Sequence, residues 1–473
     1  MSSSLCVRRL SLAPSDVSAH TSMATRSLLA YSCNASFSTS SAQLAQNLQK
    51  KSKAALPPQR GTKNSVTLKR KTPARDVGKR PAPGERKALR KRIVLSNINA
   101  FEVPGLRDLH TTNMHADSVK GRVMGLPGTV VDSLRAVEAF KTTQGWNLFR
   151  RPAILMRRES AQIAEFIQEV EAAQGKKTIR RIIIGDRASG KSTLVLQALT
   201  MAFLKEWVVI NLPDAKEIII GHTEYAPMPG SNRTQYTQNV YTANLLSQIA
   251  KANTAVLSKL QLTTKPDLPI TVPPNATLVK LAELGAATPE YSWPIFRALW
   301  DELTQPNRPP IIFAIDGLGH IMRDSAYLST NFKPIHAHDL TIVRHFIDHL
   351  SGAAALPNGG IVLAATTGSN NPSSPALDFS IQVAEARAKG MNSLPTWNPY
   401  KSADQRSLDS LKNVEMLRLN GLSKEEARTI MEYYAASGML RRTVDNNFVS
   451  DQWTLSGGGN IGELERGTVK LRI

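Results

Sequence analysis

Cysteine is nearly absent from this 473-residue chain: only Cys6 and Cys33 occur, both near the N-terminus. Beyond them the chain can form neither a disulfide nor a thiolate metal site. Long apolar runs are missing too. None reaches the roughly 18–20 residues that a membrane helix needs, so a soluble protein is expected. No sequence recurs at the 20–50-residue period of solenoids and propellers. Acidic residues are scarce at the start, where Asp16, Asp76 and Glu85 stand alone in the first 92 positions.

That scarcity locates the charge. The chain carries +21, of which +16 falls in residues 1–92. Residues 50–92 alone hold 16 Lys or Arg. Such a stretch, with few large apolar side chains, cannot bury enough surface to fold by itself. It reads either as a solvated linker or as an arm that orders on a phosphate backbone, RNA above all. Residues 1–43 are rich in Ser and Ala, hold three arginines and have one acid. That is the composition of a mitochondrial transit peptide. Cleavage is expected near Phe37-Ser38, and Met23 offers a second start. No apolar core follows a basic start, which argues against a secretory signal.

The rest is long enough for two or three folded parts, and a 41% hydrophobic content allows a globular body. Helical spacing recurs in "VVDSLRAVEAF" (Val130 to Phe140) and in "SAQIAEFIQEVEAAQG". In the latter Ser160 is the expected N-cap, Ile163, Phe166, Ile167 and Val170 one face, and Gly175 the stop. "TIRRIII", "WVVINLP", "PPIIFAIDGLG" and "IVLAATT" are β-branched runs that alternate with helical stretches. One of these stretches, Val240 to Leu260, reads as a single long helix. This pattern predicts a parallel sheet covered by helices on both faces. After Leu394 the pattern turns helical: "GLSKEEARTIMEYYAASGML" has a capping box, Ser423 with Glu426, and a stop at Gly438. The expected division is therefore 44–93 basic low-complexity arm, 94–175 helical lead-in, 176–394 core and 395–473 a helical, lid-like subdomain behind the sheet.

Chemistry concentrates in "IIIGDRASGKSTLVLQAL". Gly185 to Ser192 fits G-x-x-x-x-G-K-[ST], and it sits between a predicted strand and a predicted helix, as a phosphate loop requires. Glycines let backbone N–H groups turn toward phosphate oxygens, and the helix start adds its dipole. Lys191 is expected to reach the β- and γ-phosphates, and Ser192 to bind Mg²⁺. Asp316 ends a hydrophobic strand 125 residues beyond Lys191, where a second Mg²⁺ contact belongs. Thr366 or Thr367 closes the neighbouring strand, as either a γ-phosphate sensor or a simple strand cap. Gly317 occupies the place where strongly hydrolytic relatives of this motif carry a glutamate. Glu217 and Glu224 are weak substitutes, so a bound nucleotide with little turnover is expected. The base stays open. "DGLG" suits a GTPase, but no N-K-x-D follows it in "TTGSNNP". "TKPD" (Thr264 to Asp267) precedes the Asp316 strand, so its order is wrong.

Taken together, "GDRASGKST", "WVVINLPDA", the Tyr236, Gln238, Leu245, Leu246, Asn253 and Leu257 pattern, "IIFAIDGLGH" and "GGGNIGELERG" resemble the mitochondrial small-subunit ribosomal P-loop proteins of the death-associated-protein-three type, in a fungal form. The resemblance spans roughly residues 100 to 470. It implies an AAA-like P-loop NTPase core placed in the head of the mitochondrial small ribosomal subunit in the matrix; the basic arm, expected to be disordered, lies outside the resemblance. It also implies contacts to small-subunit rRNA and neighbouring ribosomal proteins and a bridge to the large subunit; with no long apolar run, no membrane partner is expected. The implied ligand is GTP or GDP, with ATP as the alternative, together with Mg²⁺ on Ser192 and Asp316. Nucleotide contacts then fall on Gly185, Arg187, Ala188, Ser189, Gly190, Lys191, Ser192, Thr193 and Asp316, with Thr366 as the sensor candidate. The competing reading is a free regulatory ATPase that uses "GLSKEEA" as part of a lid. A membrane-surface protein is a weaker third, since no amphipathic face accompanies the basic arm.

Overall fold

A computed structural model describes residues 93–470, apart from 174–176, 229, 231–233, 265, 274, 369–371, 373, 392 and 401–403. The chain divides into units 1–80 and 81–473. The expected transit peptide and nearly all of the basic arm lie outside the described residues.

Among the described residues of the second unit the largest sheet has five strands: β1 (Thr178–Gly185), β2 (Val208–Leu212), β3 (Ile311–Asp316), β4 (Gly360–Ala365) and β5 (Glu415–Leu419). Their spatial order is β5-β1-β4-β3-β2, with every neighbouring pair parallel. Alternate side chains enter opposite cores, which is why these strands read as continuous apolar runs. Ile182, Ile184, Ile210, Phe313 and Ile315 face one core. Ile179, Ile183, Val209, Ile312, Ala314 and Leu363 face the other.

Helices fill both sides. In chain order they include α1 (Gly128–Ala136), α2 (Arg158–Ala172), α3 (Lys191–Leu204), α4 (Asn239–Ala252), α5 (Leu278–Ala287), α6 (Ser292–Leu303) and α7 (Thr341–Ser351). The first three pack on the Ile183 face and the other four on the Phe313 face. Beyond them lie α8 (Pro375–Ala388), α9 (Lys424–Ala436), α10 (Asn446–Leu455) and α11 (Ile461–Thr468). Among the described residues no helix is long and apolar enough to cross a membrane.

Several expectations need correcting. The stretch Val240 to Leu260 is not one helix. It breaks at Asn253, whose carboxamide turns to the edge strand β2. Its Oδ1 accepts from the Val209 N–H at 2.7 Å and its Nδ2 donates to the Val209 carbonyl at 2.9 Å. One side chain thus pairs the backbone of an edge that would otherwise be unsatisfied. Ser160 is not the N-cap of α2. The helix starts at Arg158, and Ser160 accepts from the Arg157 N–H in a capping arrangement. The region after 394 is not purely helical either, because Glu415–Leu419 is the sheet's other edge strand. It escapes a search for apolar runs because only Leu417 and Leu419 are buried, while Glu415 and Arg418 face solvent. Nor do the C-terminal helices sit behind the sheet. Leu422, Ala427, Ile430 and Tyr434 cluster with Leu148, Phe149 and Leu155 of the lead-in, and the Phe149 and Tyr434 rings stack at 5.5 Å. The capping box of α9 forms as expected.

Candidate phosphate-binding site

All five strands run the same way, so their C-terminal ends share one edge, the usual place for a ligand in an open α/β sheet. The loop after β1, Asp316 at the end of β3 and Thr366 just past β4 all lie on this edge. The strand β4 separates the loop strand from the Asp316 strand, with Ala365 level with both Ile183 and Asp316.

The loop leaves β1 at Gly185, turns through a Ser189 N–H to Asp186 carbonyl contact of 3.3 Å, and enters α3 through Gly190. Gly190 has φ of 99°, a conformation that costs an L-residue about 1–2 kcal/mol. Because α3 begins at Lys191, the N–H groups of Lys191, Ser192 and Thr193 have no helical carbonyl one turn back. Free amides at a helix start, with the helix dipole behind them, are the arrangement that suits an anion. The Ser189 hydroxyl is buried and has no hydrogen-bond partner.

Lys191 is 6% exposed. Its Nζ donates to the Gly185 carbonyl at 2.8 Å and to the Asp186 carbonyl at 2.6 Å. Burial lowers its pKa, while Asp316 and Asp186 oppose that shift. Asp316 Oδ2 lies 3.5 Å from Lys141 Nζ. Thr366 is engaged by β1: both its N–H and its hydroxyl donate to the Ile183 carbonyl, at 3.0 and 3.1 Å.

Three outside groups brace the loop. Arg157 donates to the Ser189 carbonyl at 2.9 Å and also to the Asn420 carbonyl. Asn460 Nδ2 donates to the Arg187 carbonyl at 2.8 Å, and the Gly462 N–H donates to the Ala188 carbonyl at 3.0 Å. "GGGNIGELERG" therefore has a structural task, since the start of α11 sits against the loop.

Sequence reasoning missed the tract Lys141–Trp146. Gln144 Nε2 donates to Thr193 Oγ1 at 3.3 Å, and Gln144 Oε1 accepts from the Lys141 N–H at 2.9 Å and from Trp146 Nε1. A polar tract between two helices has no spacing that could have flagged it.

The missing glutamate has a structural cause. Gly317 adopts φ of 90° and donates its N–H to the Ala365 carbonyl at 2.9 Å. A glutamate there would be strained. Glu217 pairs with His222 at 3.4 Å in an exposed position, and Glu224 is exposed. Thr264 of "TKPD" is occupied elsewhere: its N–H and hydroxyl both donate to the buried carboxylate of Glu302.

For Mg²⁺ the protein offers the Ser192 hydroxyl and the single carboxylate of Asp316. No cluster of three or more His, Cys, Asp or Glu that could hold a metal occurs among the described residues. That sparse donor set suits Mg²⁺, which takes few protein ligands and relies on phosphate oxygens and water.

Sheet, loop and braced helix start define an α/β protein with a strand–loop–helix unit at the carboxyl edge of a parallel sheet. A family model described as mitochondrial ribosomal death-associated protein 3 matches residues 154–467. A Neurospora crassa protein named small ribosomal subunit protein mS29 is 47% identical over 397 residues, covering 83% of this chain and 84% of its own. A Schizosaccharomyces pombe protein of the same name is 24% identical over 369 residues, covering 76% and 74%. The chain belongs to the mitochondrial ribosomal death-associated protein 3 family.

Proposed function

We propose that this protein is a structural component of the small subunit of the mitochondrial ribosome, and that it holds a purine nucleotide with little turnover. The family is mitochondrial and ribosomal by description, and both relatives are named as small-subunit proteins. The sheet is then the core of a P-loop NTPase fold, and the ligand is GTP or GDP, with ATP as the alternative base. The phosphates fall on Gly185 and on Arg187 to Thr193, and Mg²⁺ on Ser192 and Asp316. The basic arm, residues 50–92, neutralises small-subunit rRNA without reading its sequence. Neighbouring ribosomal proteins and a bridge to the large subunit complete the partners.

The observation that carries the nucleotide reading is the loop itself, a strand–loop–helix unit clamped from behind by Arg157, Asn460 and Gly462. Clamping leaves the inward N–H groups preorganised, so little ordering is lost on binding. Lys191 is positioned to leave two loop carbonyls and follow the phosphates. A bound Mg²⁺ would neutralise phosphate charge. Low turnover follows from Gly317, because positioned charge without a base at that point leaves the water unactivated.

The test uses gradient sedimentation with purified mitochondrial small subunits, followed by identification of the nucleotide released on denaturing the purified protein. Co-migration and a retained guanine nucleotide are expected. Failure to co-migrate sinks the ribosomal assignment, and release of no nucleotide sinks the ligand. In Lys191→Ala, nucleotide binding and thermal stability should fall together, because a ligand bound only to the folded state stabilises it. Self-assembly driven by rapid turnover would favour the regulatory ATPase instead.

A further inference from the structure

The nucleotide site has a cation that its motif does not contain. Asp316 is the carboxylate assigned above to Mg²⁺, and the ammonium of Lys141 already faces it at 3.5 Å. The pair is sheltered, with the two side chains 26% and 14% exposed. A sheltered pair is screened less by solvent and salt than a surface ion pair.

Lys141 is held rather than free. Its Nζ also donates to the Pro213 carbonyl, just past the end of β2. Its backbone N–H donates to Gln144 Oε1 at 2.9 Å. Gln144 in turn reaches Thr193 in the first turn of α3, and the Trp146 indole donates to the same Oε1. The Trp146 ring is set edge-on to Phe140 at 5.2 Å. The tract from Phe140 to Trp146 is therefore fixed at two strand ends and at the phosphate-loop helix. Asp316 is also close enough to Lys191 to favour its charge. One acid thus acts on two lysines, and only Lys191 belongs to the motif.

We infer that Lys141 is a tethered cation of the nucleotide site, which shares the balancing of Asp316 with the divalent metal and adds a second ammonium beside the terminal phosphates. This rests on the nucleotide reading above and specifies its ionic requirement. A divalent ion approaching Asp316 must compete with a charge that is covalently attached and therefore always present. Nucleotide retention is consequently only weakly dependent on Mg²⁺.

The experiment titrates the purified full chain with a fluorescent GDP analogue, once in excess Mg²⁺ and once in excess EDTA. The proteins are wild type, Lys141→Met, which keeps the length of the stem, and Lys141→Arg. For wild type, affinity should change by less than about threefold on chelation, whereas Lys141→Met should lose about tenfold or more in EDTA and recover most of it in Mg²⁺. Lys141→Arg should behave as wild type. Equal responses to Mg²⁺ in wild type and Lys141→Met overturn the inference. A wild-type loss of more than about tenfold on chelation overturns it too, even if Lys141→Met fails to fold. Wild-type protein that binds the analogue in neither condition overturns the nucleotide reading, and this inference with it.

Discussion

Replacing Arg157 should uncouple three parts of the protein at once. Its guanidinium, 5% exposed, donates to the phosphate-loop carbonyl of Ser189 and to the carbonyl of Asn420 after β5, and lies 3.5 Å from the buried Glu159 carboxylate. In Arg157→Met the stem is kept and the charge is lost. Hydrogen bonds to a charged group contribute about 1.5–3 kcal/mol each. Removing one partner of a buried ion pair costs about 3–5 kcal/mol, chiefly because the other charge is stranded. These contributions overlap on one side chain, so the net loss should be about 3–5 kcal/mol. A folded body of roughly 380 residues unfolds with an entropy near 0.8 kcal/mol per kelvin, so the melting temperature should fall by about 4–6 °C. Calorimetry of the variant against wild type measures this, with Arg158→Met, a change at the exposed neighbour, as control. Binding of a GDP analogue should weaken in parallel, because the Ser189 carbonyl would no longer be fixed. A loss below about 1 kcal/mol, or an equal loss in Arg158→Met, would refute the reasoning.

Other changes test separate links. Asn253→Ala removes the pairing of Val209 and should cost about 2–4 kcal/mol by chemical denaturation, since two buried backbone groups lose their partners. Gly317→Glu should cost about 1–2 kcal/mol from its φ of 90° and produce no gain in nucleotide hydrolysis, measured by phosphate release. Burial raises the pKa of Glu302, but hydrogen bonds from Thr264 and Thr263 outweigh it and hold the carboxyl at about 2. Since that is below its unfolded value, the stabilisation is complete above about pH 4.5 and up to roughly 3 kcal/mol is lost as pH falls toward 2. Denaturation of Glu302→Gln across that range should lack this share of the loss. His345 and His349, buried against Trp300 and Phe313, have lowered pKa values through desolvation. The unfolded state then takes up protons first, so stability should start to fall below about pH 6.5, and His345→Phe should make that fall shallower while His349 keeps its onset.

Much of this architecture is legible in the chain because parallel strands buried on both faces must be apolar throughout. "TIRRIII", "IIFAID" and "IVLAATT" leave little choice of structure, and G-x-x-x-x-G-K-[ST] marks the turn between a strand and a helix that the structure shows. Local signals also place the capping box of α9 and the stop at Gly438. Legibility fails where burial is one-sided or contacts are distant. The strand Glu415–Leu419 is half-solvated, so its alternation competes poorly with the helical signals around it. The break at Asn253 depends on an edge strand 44 residues away.

The sequence alone determined the order of the four apolar strands, the main helices between them and the loop between β1 and α3, because those follow from side-chain periodicity and from backbone geometry that only glycine adopts cheaply. Tertiary structure alone decided the surroundings of that loop. It brought Arg157, Asn460 and Gly462 onto the loop's carbonyls, and Lys141 onto Asp316. Such long-range pairings leave no periodicity in the chain, since they arise only when packing fixes the positions of elements that are far apart in sequence.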